Sequence, residues 1–342
     1  MSQASSGAYL TPRSVCRLID HMTTALITGI TGQDGAYLAR FLLGRGYRVI
    51  GTSRDAQSGT RNNLAALGID AQVTIESMAL NDFRSVLQVL SKTRPNEIYN
   101  LAGQSSVSLS FEQPVETLES ISTGTLNLLE GIRFLDPSIR LYSAGSSECF
   151  GNTGVTPADE NTPFRPRSPY AVAKACAANL VANYREAYQL FACTGILFNH
   201  ESPLRSRRFV TRKIVEAAYR IHAGLDSHVT LGNLNISRDW GWAPDYVEAM
   251  WLLLQRGTPL DVVIATGRTV SLEYFVQTAF AHFHLDWKEH VVQDQALLRP
   301  SDISYSSANT ALANAELGWT AKNSVDDVVR MMCAAEVEKL KS

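Results

Sequence analysis

From residue 24 onward, short apolar runs alternate with longer stretches in which Leu, Val and Ile recur at helical spacing. TALIT within 23–28, YRVIGTS (47–53), QVTIESM (72–78), EIYNL (97–101) and IRLYSAG (139–145) are brief and β-rich, which predicts strands. Segments 35–46, 82–93 and 115–134 between them predict helices. Parallel strands need such crossovers, and the crossovers are right-handed, so the pattern predicts an α/β fold: a doubly wound, Rossmann-like parallel sheet with helices on both faces. A helix over 170–188 and a strand over 193–198 extend it. Beyond residue 200 the rhythm loosens. Helices are predicted at 211–224, 244–256 and 271–284, with RSRRF, LGNLN and RDWGW in loops among them. The result is a smaller mixed α/β lobe, and DVVIAT (261–266) is expected to send one strand back to the main sheet. The division is therefore an N-terminal extension over 1–21, whose order the sequence leaves open, a first domain over mainly 22–200, and a second lobe over mainly 201–342.

Composition narrows the classes. With 342 residues, 45% hydrophobic and 19% charged, and a formal charge of -2, the chain is an ordinary globular protein with no global pull toward nucleic acid or anionic membrane. Any polyanion must be met locally. The five cysteines, Cys16, Cys149, Cys176, Cys193 and Cys333, form no CxxC pair, and their odd count argues against a disulfide framework. A cytoplasmic location is the expectation, with no membrane span and no secretory leader. The His-x-His at 282–284 has no ligand partners at useful spacing, so no metal is assigned.

Candidate chemistry begins at GITGQDG, residues 29–35, directly after the first strand and opening a helix. Gly29, Gly32 and Gly35 suit a tight turn, close approach of backbone to a pyrophosphate and close packing of helix on strand, with free helix N–H groups facing the anion. The dinucleotide is selected at the end of the second strand, where an acidic residue would meet ribose hydroxyls and an arginine a 2′-phosphate. Arg54 stands there and favours NADP; Asp55 follows, which keeps NAD open as the second choice. The fifth strand ends in GSSECFG, with Ser146, Ser147 and Glu148, and SPYAVAK follows with Tyr170 and Lys174 four apart on one helix face. A lysine beside a phenol is expected to lower the tyrosine pKa, so that it takes a proton from a sugar hydroxyl as hydride leaves.

These residues resemble the extended short-chain dehydrogenase/reductase family. The runs ALITGITGQDGAYLA, FRPRSPYAVAK, ANYREAY, GILFNHESPLR, FVTRKI and RDWG, over about residues 22 to 336, are similar to its GDP-mannose 4,6-dehydratase branch. The resemblance implies a hydro-lyase that turns GDP-mannose into GDP-4-dehydro-6-deoxy-D-mannose by moving hydride from C4 to C6 through NADP, with loss of water. It implies Tyr170 as base, Lys174 tuning it, Ser146 in the place of the usual threonine, and Glu148 removing the C5 proton. Carried over by position, Gly29, Ile30, Thr31, Gly32, Gln33, Asp34, Gly35, Arg54, Leu80, Leu101, Ala102, Gly103, Gln104 and Ser105 would contact the cofactor, with Tyr170, Lys174, His200 and Arg205. Ser105, Ser146, Glu148, Tyr170, Asn199, Lys213, Arg238 and Arg299 would address the nucleotide-sugar, whose diphosphate justifies the cations. A homodimer or homotetramer is implied as well.

Three positions depart from the branch. Ala79-Leu80 replaces an Asp-Leu or Asp-Met pair at the adenine, Asp55 replaces the second of two arginines in a loop that also serves tetramer contacts, and Glu116 stands where relatives carry a tyrosine near the cofactor. Three other readings stay open on the sequence. They are a GDP-4-dehydro-6-deoxymannose reductase, a 4,6-dehydratase for another nucleotide sugar such as a GDP-heptose, and a non-catalytic NAD(P)-binding sensor.

Overall fold

The computed structural model describes residues 22–339 apart from 58 and 298, so the extension 1–21, Cys16 included, lies outside the described residues. The strands are β1 (Thr24–Thr28), β2 (Arg48–Ser53), β3 (Thr74–Ser77), β4 (Glu97–Asn100), β5 (Arg140–Ala144), β6 (Ala192–Leu197), β7 (Asn199–Glu201), β8 (Val229–Leu231), β9 (Ser237–Trp242), β10 (Val262–Ile264), β11 (Thr269–Ser271) and β12 (Val291–Gln293). Seven of them form the main sheet in the order β10-β6-β5-β4-β1-β2-β3. All its pairings are parallel. Every residue of β1 and of β6 is buried, as a sheet covered on both faces requires.

Helices Gln33–Leu43 and Ala243–Gln255 cover one face with a shared core that includes Leu38, Leu42, Met250 and Leu253. Helices Phe83–Thr93, Gly124–Leu135 and Pro169–Tyr188 cover the other through Val86, Leu90, Leu128, Ile132 and Val181. Strand order reverses between β1 and β4, and the crevice outside the carboxyl ends of two such strands is where this architecture binds ligands. β10 does return to the main sheet, with Val262 opposite Gly195.

The second lobe has its own core, in which Ile214 and Ala218 of helix Val210–His222, Phe275 and Phe280 of helix Leu272–His282, and Val328 and Met332 of helix Val325–Lys339 pack together. Among the described residues no helix is long and apolar enough to cross a membrane.

Two expectations need correction. RDWGW is a strand: β9 lies between β7 and β11 in a three-stranded sheet. Its Arg and Asp look like loop residues, yet Arg238 and Asp239 are buried because both find partners. The Asp239 carboxylate accepts the N–H groups of Thr266 and Gly267 and the Thr266 hydroxyl, while Arg238 faces Glu148 and Asp302. The single helix expected over 115–134 is a helix Pro114–Leu118, a π-helical turn Glu119–Thr123 and a helix Gly124–Leu135. Gly124 follows the wide turn and packs so closely on Leu80 that an added Cβ would lie 3.1 Å from that residue's Cβ. The short strands β7, β8, β11 and β12 have no counterpart in the predicted elements.

Candidate active site

The glycine loop joins β1 to helix Gln33–Leu43 at the sheet's switch point. Gly29 has φ +69°, and a Cβ on it would approach the Ala102 backbone to 3.0 Å; one on Gly35 would stand 2.4 Å from the Gly29 carbonyl oxygen. Only glycine fits both places. Gly32 caps the helix without a side-chain hydrogen bond, so the first-turn N–H groups keep their directional pull on an anion. The neighbouring β4 loop is fixed to β1 through Thr28, whose Oγ1 donates to Asn100 Oδ1 (2.9 Å) and accepts the N–H groups of Leu101 and Ala102 at 3.1 Å each. That anchoring holds Leu101 and Ala102 beside the glycine loop, while Gly103 and Gln104 turn toward Ile121, Thr117 and Ser120. The cradle suits a pyrophosphate in shape and in donors.

Gln33 and Asp34 tie the loop to β7. Gln33 donates to the His200 carbonyl (3.1 Å) and accepts from the Ser202 hydroxyl (2.7 Å). His200 Nδ1 lies 2.7 Å from the Phe198 carbonyl and Nε2 lies 2.9 Å from Asp34 Oδ2. Both ring nitrogens face acceptors, which places a proton on each. Burial raises the Asp34 pKa, but the charge and hydrogen bond of His200 outweigh it and hold the carboxyl down at about 2. Burial likewise lowers His200, and Asp34 more than reverses that. An imidazolium–carboxylate pair results.

The pair sets a pH window. Asp34 contributes stability above its unfolded value of 3.8 and loses it as pH falls toward 2; His200 contributes below 6.5 and loses it as pH rises through its raised value. His200→Gln is therefore expected to lower stability by about 3 kcal/mol where both charges are present. Urea unfolding of the two proteins across pH checks this: the gap should be widest between 3.8 and 6.5 and narrow on the alkaline side. A gap independent of pH would exclude the ion pair.

A cavity of about 360 Å³ opens from the loop between the lobes and gathers Asp34, Ser105, Ser146, Glu148, Tyr170, Lys174, Asn199, His200, Arg205, Lys213, Arg238 and Arg299. Tyr170 and Lys174 come from helix Pro169–Tyr188, which Ser168 caps by accepting the Ala171 N–H. Lys174 donates to the Ala144 carbonyl at 2.7 Å, and its Nζ is 6.0 Å from the centre of the Tyr170 ring. The expectation that lysine lowers the tyrosine pKa does not hold. Burial raises Tyr170 above the ordinary phenol value; Ser146, by hydrogen bonding, and Arg205, by charge, pull the other way. Burial also lowers Lys174 to about 8, so the dry wall that houses both groups decides both shifts.

Glu148 follows β5 in a short 3-10 turn, Ser147–Phe150, and its own N–H donates to Ser146 Oγ at 3.3 Å. Burial raises its pKa, while Arg238, with Nε 3.9 Å from Oε1, and Arg299 pull it down. The carboxyl is thus poised to exchange a proton. Asp302 holds both arginines, at 3.3 Å from Arg238 and 3.4 Å from Arg299. Asn199 Oδ1 is buried in the cavity wall with no hydrogen-bond partner, a free acceptor for a ligand. Lys213 donates to the Thr230 carbonyl at 2.7 Å.

Of the predicted cofactor residues, Asp34, Leu101, Ser105, Tyr170, Lys174, His200 and Arg205 line this cavity, whereas Arg54 and Leu80 are among those that do not. Arg54 is at the end of β2, exposed, with Nη1 3.5 Å from Glu116 Oε1. Leu80 lies past β3, its carbonyl accepting the Asn127 amide at 2.7 Å. Asp302 and the buried Glu201, which faces Arg205 at 3.1 Å, were missed by sequence reasoning. The only signal for Asp302 was its place three residues after Arg299.

A family model described as GDP-mannose 4,6 dehydratase matches residues 26–332. The chain is similar to GDP-mannose 4,6 dehydratase 2 of Arabidopsis thaliana, 43% identical, with 99% of this chain and 94% of the relative covered. It is likewise 41% identical to GDP-mannose 4,6 dehydratase of Homo sapiens, with 93% and 92% covered. Among solved structures it resembles the UDP-glucose 4-epimerase of Thermus thermophilus in complex with NAD, at TM-score 0.80 and 25% identity, covering 92% of this chain and 99% of that one.

Proposed function

The chain belongs to the GDP-mannose 4,6-dehydratase family, and from that premise we propose that it is a hydro-lyase that converts GDP-mannose to GDP-4-dehydro-6-deoxy-D-mannose with NADP as its resident cofactor. The observation that carries the reading is the presence of two acid/base groups, Tyr170 and Glu148, on one cavity that begins at the glycine loop. A plain alcohol dehydrogenase needs only the first.

When bound, the nicotinamide supplies a hydride acceptor for C4 and then a donor for C6. Tyr170, hydrogen-bonded by Ser146, takes the 4-hydroxyl proton; Arg205 adds positive charge that favours the phenolate, and Lys174, held on the Ala144 carbonyl, stands beside the same ring. A C4 ketone acidifies the C5 proton. Glu148 removes it and passes it to the departing C6 hydroxyl, which leaves as water, and a solvent-derived proton finally replaces the one lost at C5. Arg238 and Arg299 meet the diphosphate, Lys213 adds charge at the nucleotide end, and Asn199 Oδ1 accepts a hydrogen bond from the ligand. Residues 29–35 and 101–105, with Arg54, Leu80 and His200, hold the dinucleotide. A homodimer or homotetramer in the cytoplasm belongs to the same reading.

GDP-mannose carrying deuterium at C4 tests it. The product is expected to be a 4-keto-6-deoxy sugar with the label at C6 and solvent hydrogen at C5, formed without net consumption of NADP(H). A product that requires stoichiometric reduced cofactor, or no product, would overturn the proposal.

A further inference from the structure

The end of β2 carries a charge pair that bears on which dinucleotide the cleft prefers. Arg54 is the first residue after β2, and its side chain is 87% exposed. Its partner at 3.5 Å, Glu116, is in the first turn of helix Pro114–Leu118 and is itself 46% exposed, so an incoming group can reach both. In a sheet of this order the adenosine ribose lies against the end of the second strand, and the side chain there meets either a 2′-hydroxyl or a 2′-phosphate. An arginine alone selects the phosphate. An arginine already facing a carboxylate does so weakly, because the phosphate must displace Glu116 or share the guanidinium with it, one anion beside another. Asp55, next in the chain, adds no positive field; its carboxylate accepts the Gln57 N–H at 2.8 Å.

We infer that Glu116 is a cofactor-specificity residue: paired with Arg54, its carboxylate narrows the preference for a 2′-phosphorylated dinucleotide, so that the cleft takes NAD as well as NADP. This rests on the dinucleotide reading above and refines it. The carboxylate also suits a ribose 2′-hydroxyl, which can donate to it where a phosphate can only repel it.

Isothermal titration of NADP+ and of NAD+ into protein freed of bound nucleotide, for the unaltered chain, Glu116→Gln and Arg54→Gln, decides the matter. Glu116→Gln is expected to bind NADP+ about two- to fivefold more tightly, an effect the size of one exposed charge contact, and NAD+ no more tightly than before. The gain should shrink as salt is raised. Arg54→Gln should weaken NADP+ selectively. An unchanged NADP+ affinity in Glu116→Gln, with NADP+ still bound by all three proteins, overturns the inference and leaves the cofactor reading intact. Failure of the unaltered protein to bind either dinucleotide overturns both.

Discussion

Glu148→Gln is expected to stop the reaction after its first half. The substitution preserves side-chain volume in a site where Glu148 is buried, and it leaves Arg238 with Asp302 as a charged neighbour at 3.3 Å, so no orphaned cation results. What disappears is the group proposed to take the C5 proton. Turnover should fall by about 10²–10⁴-fold, the usual contribution of a positioned acid/base group. Hydride removal from C4 does not need Glu148. In a single turnover with GDP-mannose, the near-ultraviolet absorbance of reduced nicotinamide should therefore rise and persist, alongside a 4-keto sugar that still carries its C6 hydroxyl. Full turnover in the variant, or no cofactor reduction at all, would remove Glu148 from the elimination step.

Tyr170→Phe should fail earlier. The ring packs among Ile121, Ala173 and Ala177, and phenylalanine keeps those contacts while deleting the atom proposed to take the 4-hydroxyl proton. The loss is again expected at about 10²–10⁴-fold, this time with no reduced nicotinamide in a single turnover and with dinucleotide affinity retained. Measured side by side, the two variants separate the redox half from the elimination half: one accumulates reduced cofactor, the other none. The Tyr170 variant also addresses the sensor reading, because a protein that only binds the dinucleotide would lose nothing when the phenol oxygen is removed.

The raised pKa of Tyr170 changes how the pair with Lys174 is understood. Four residues of spacing put the two side chains on one helix face, and that much was legible. The direction of the shift was not, since it depends on how dry the wall is and where the ammonium points. Lys174 turns to the Ala144 carbonyl at the end of β5, and burial raises the phenol and lowers the amine together. Arg238 gives a parallel case. Read along the chain, an arginine in RDWG looks like a loop residue; in the fold it is a buried strand residue, held by two carboxylates that come from the β5 end and from the segment after Arg299.

By itself the sequence determined the doubly wound sheet, because continuous apolar strands alternating with amphipathic helices leave few other ways to bury both patterns. It also determined the glycine loop and the Ser146, Glu148, Tyr170 and Lys174 constellation, since each lies within a local motif whose spacing fixes its place on a strand end or helix face. Only the tertiary structure decided what those groups experience. The ion pair of Asp34 with His200, the clasp of Asp302 on two arginines, and the contact of Arg54 with Glu116 join residues far apart in the chain. Charge interactions depend on distance through space and on exclusion of water, and neither quantity is written in the order of residues.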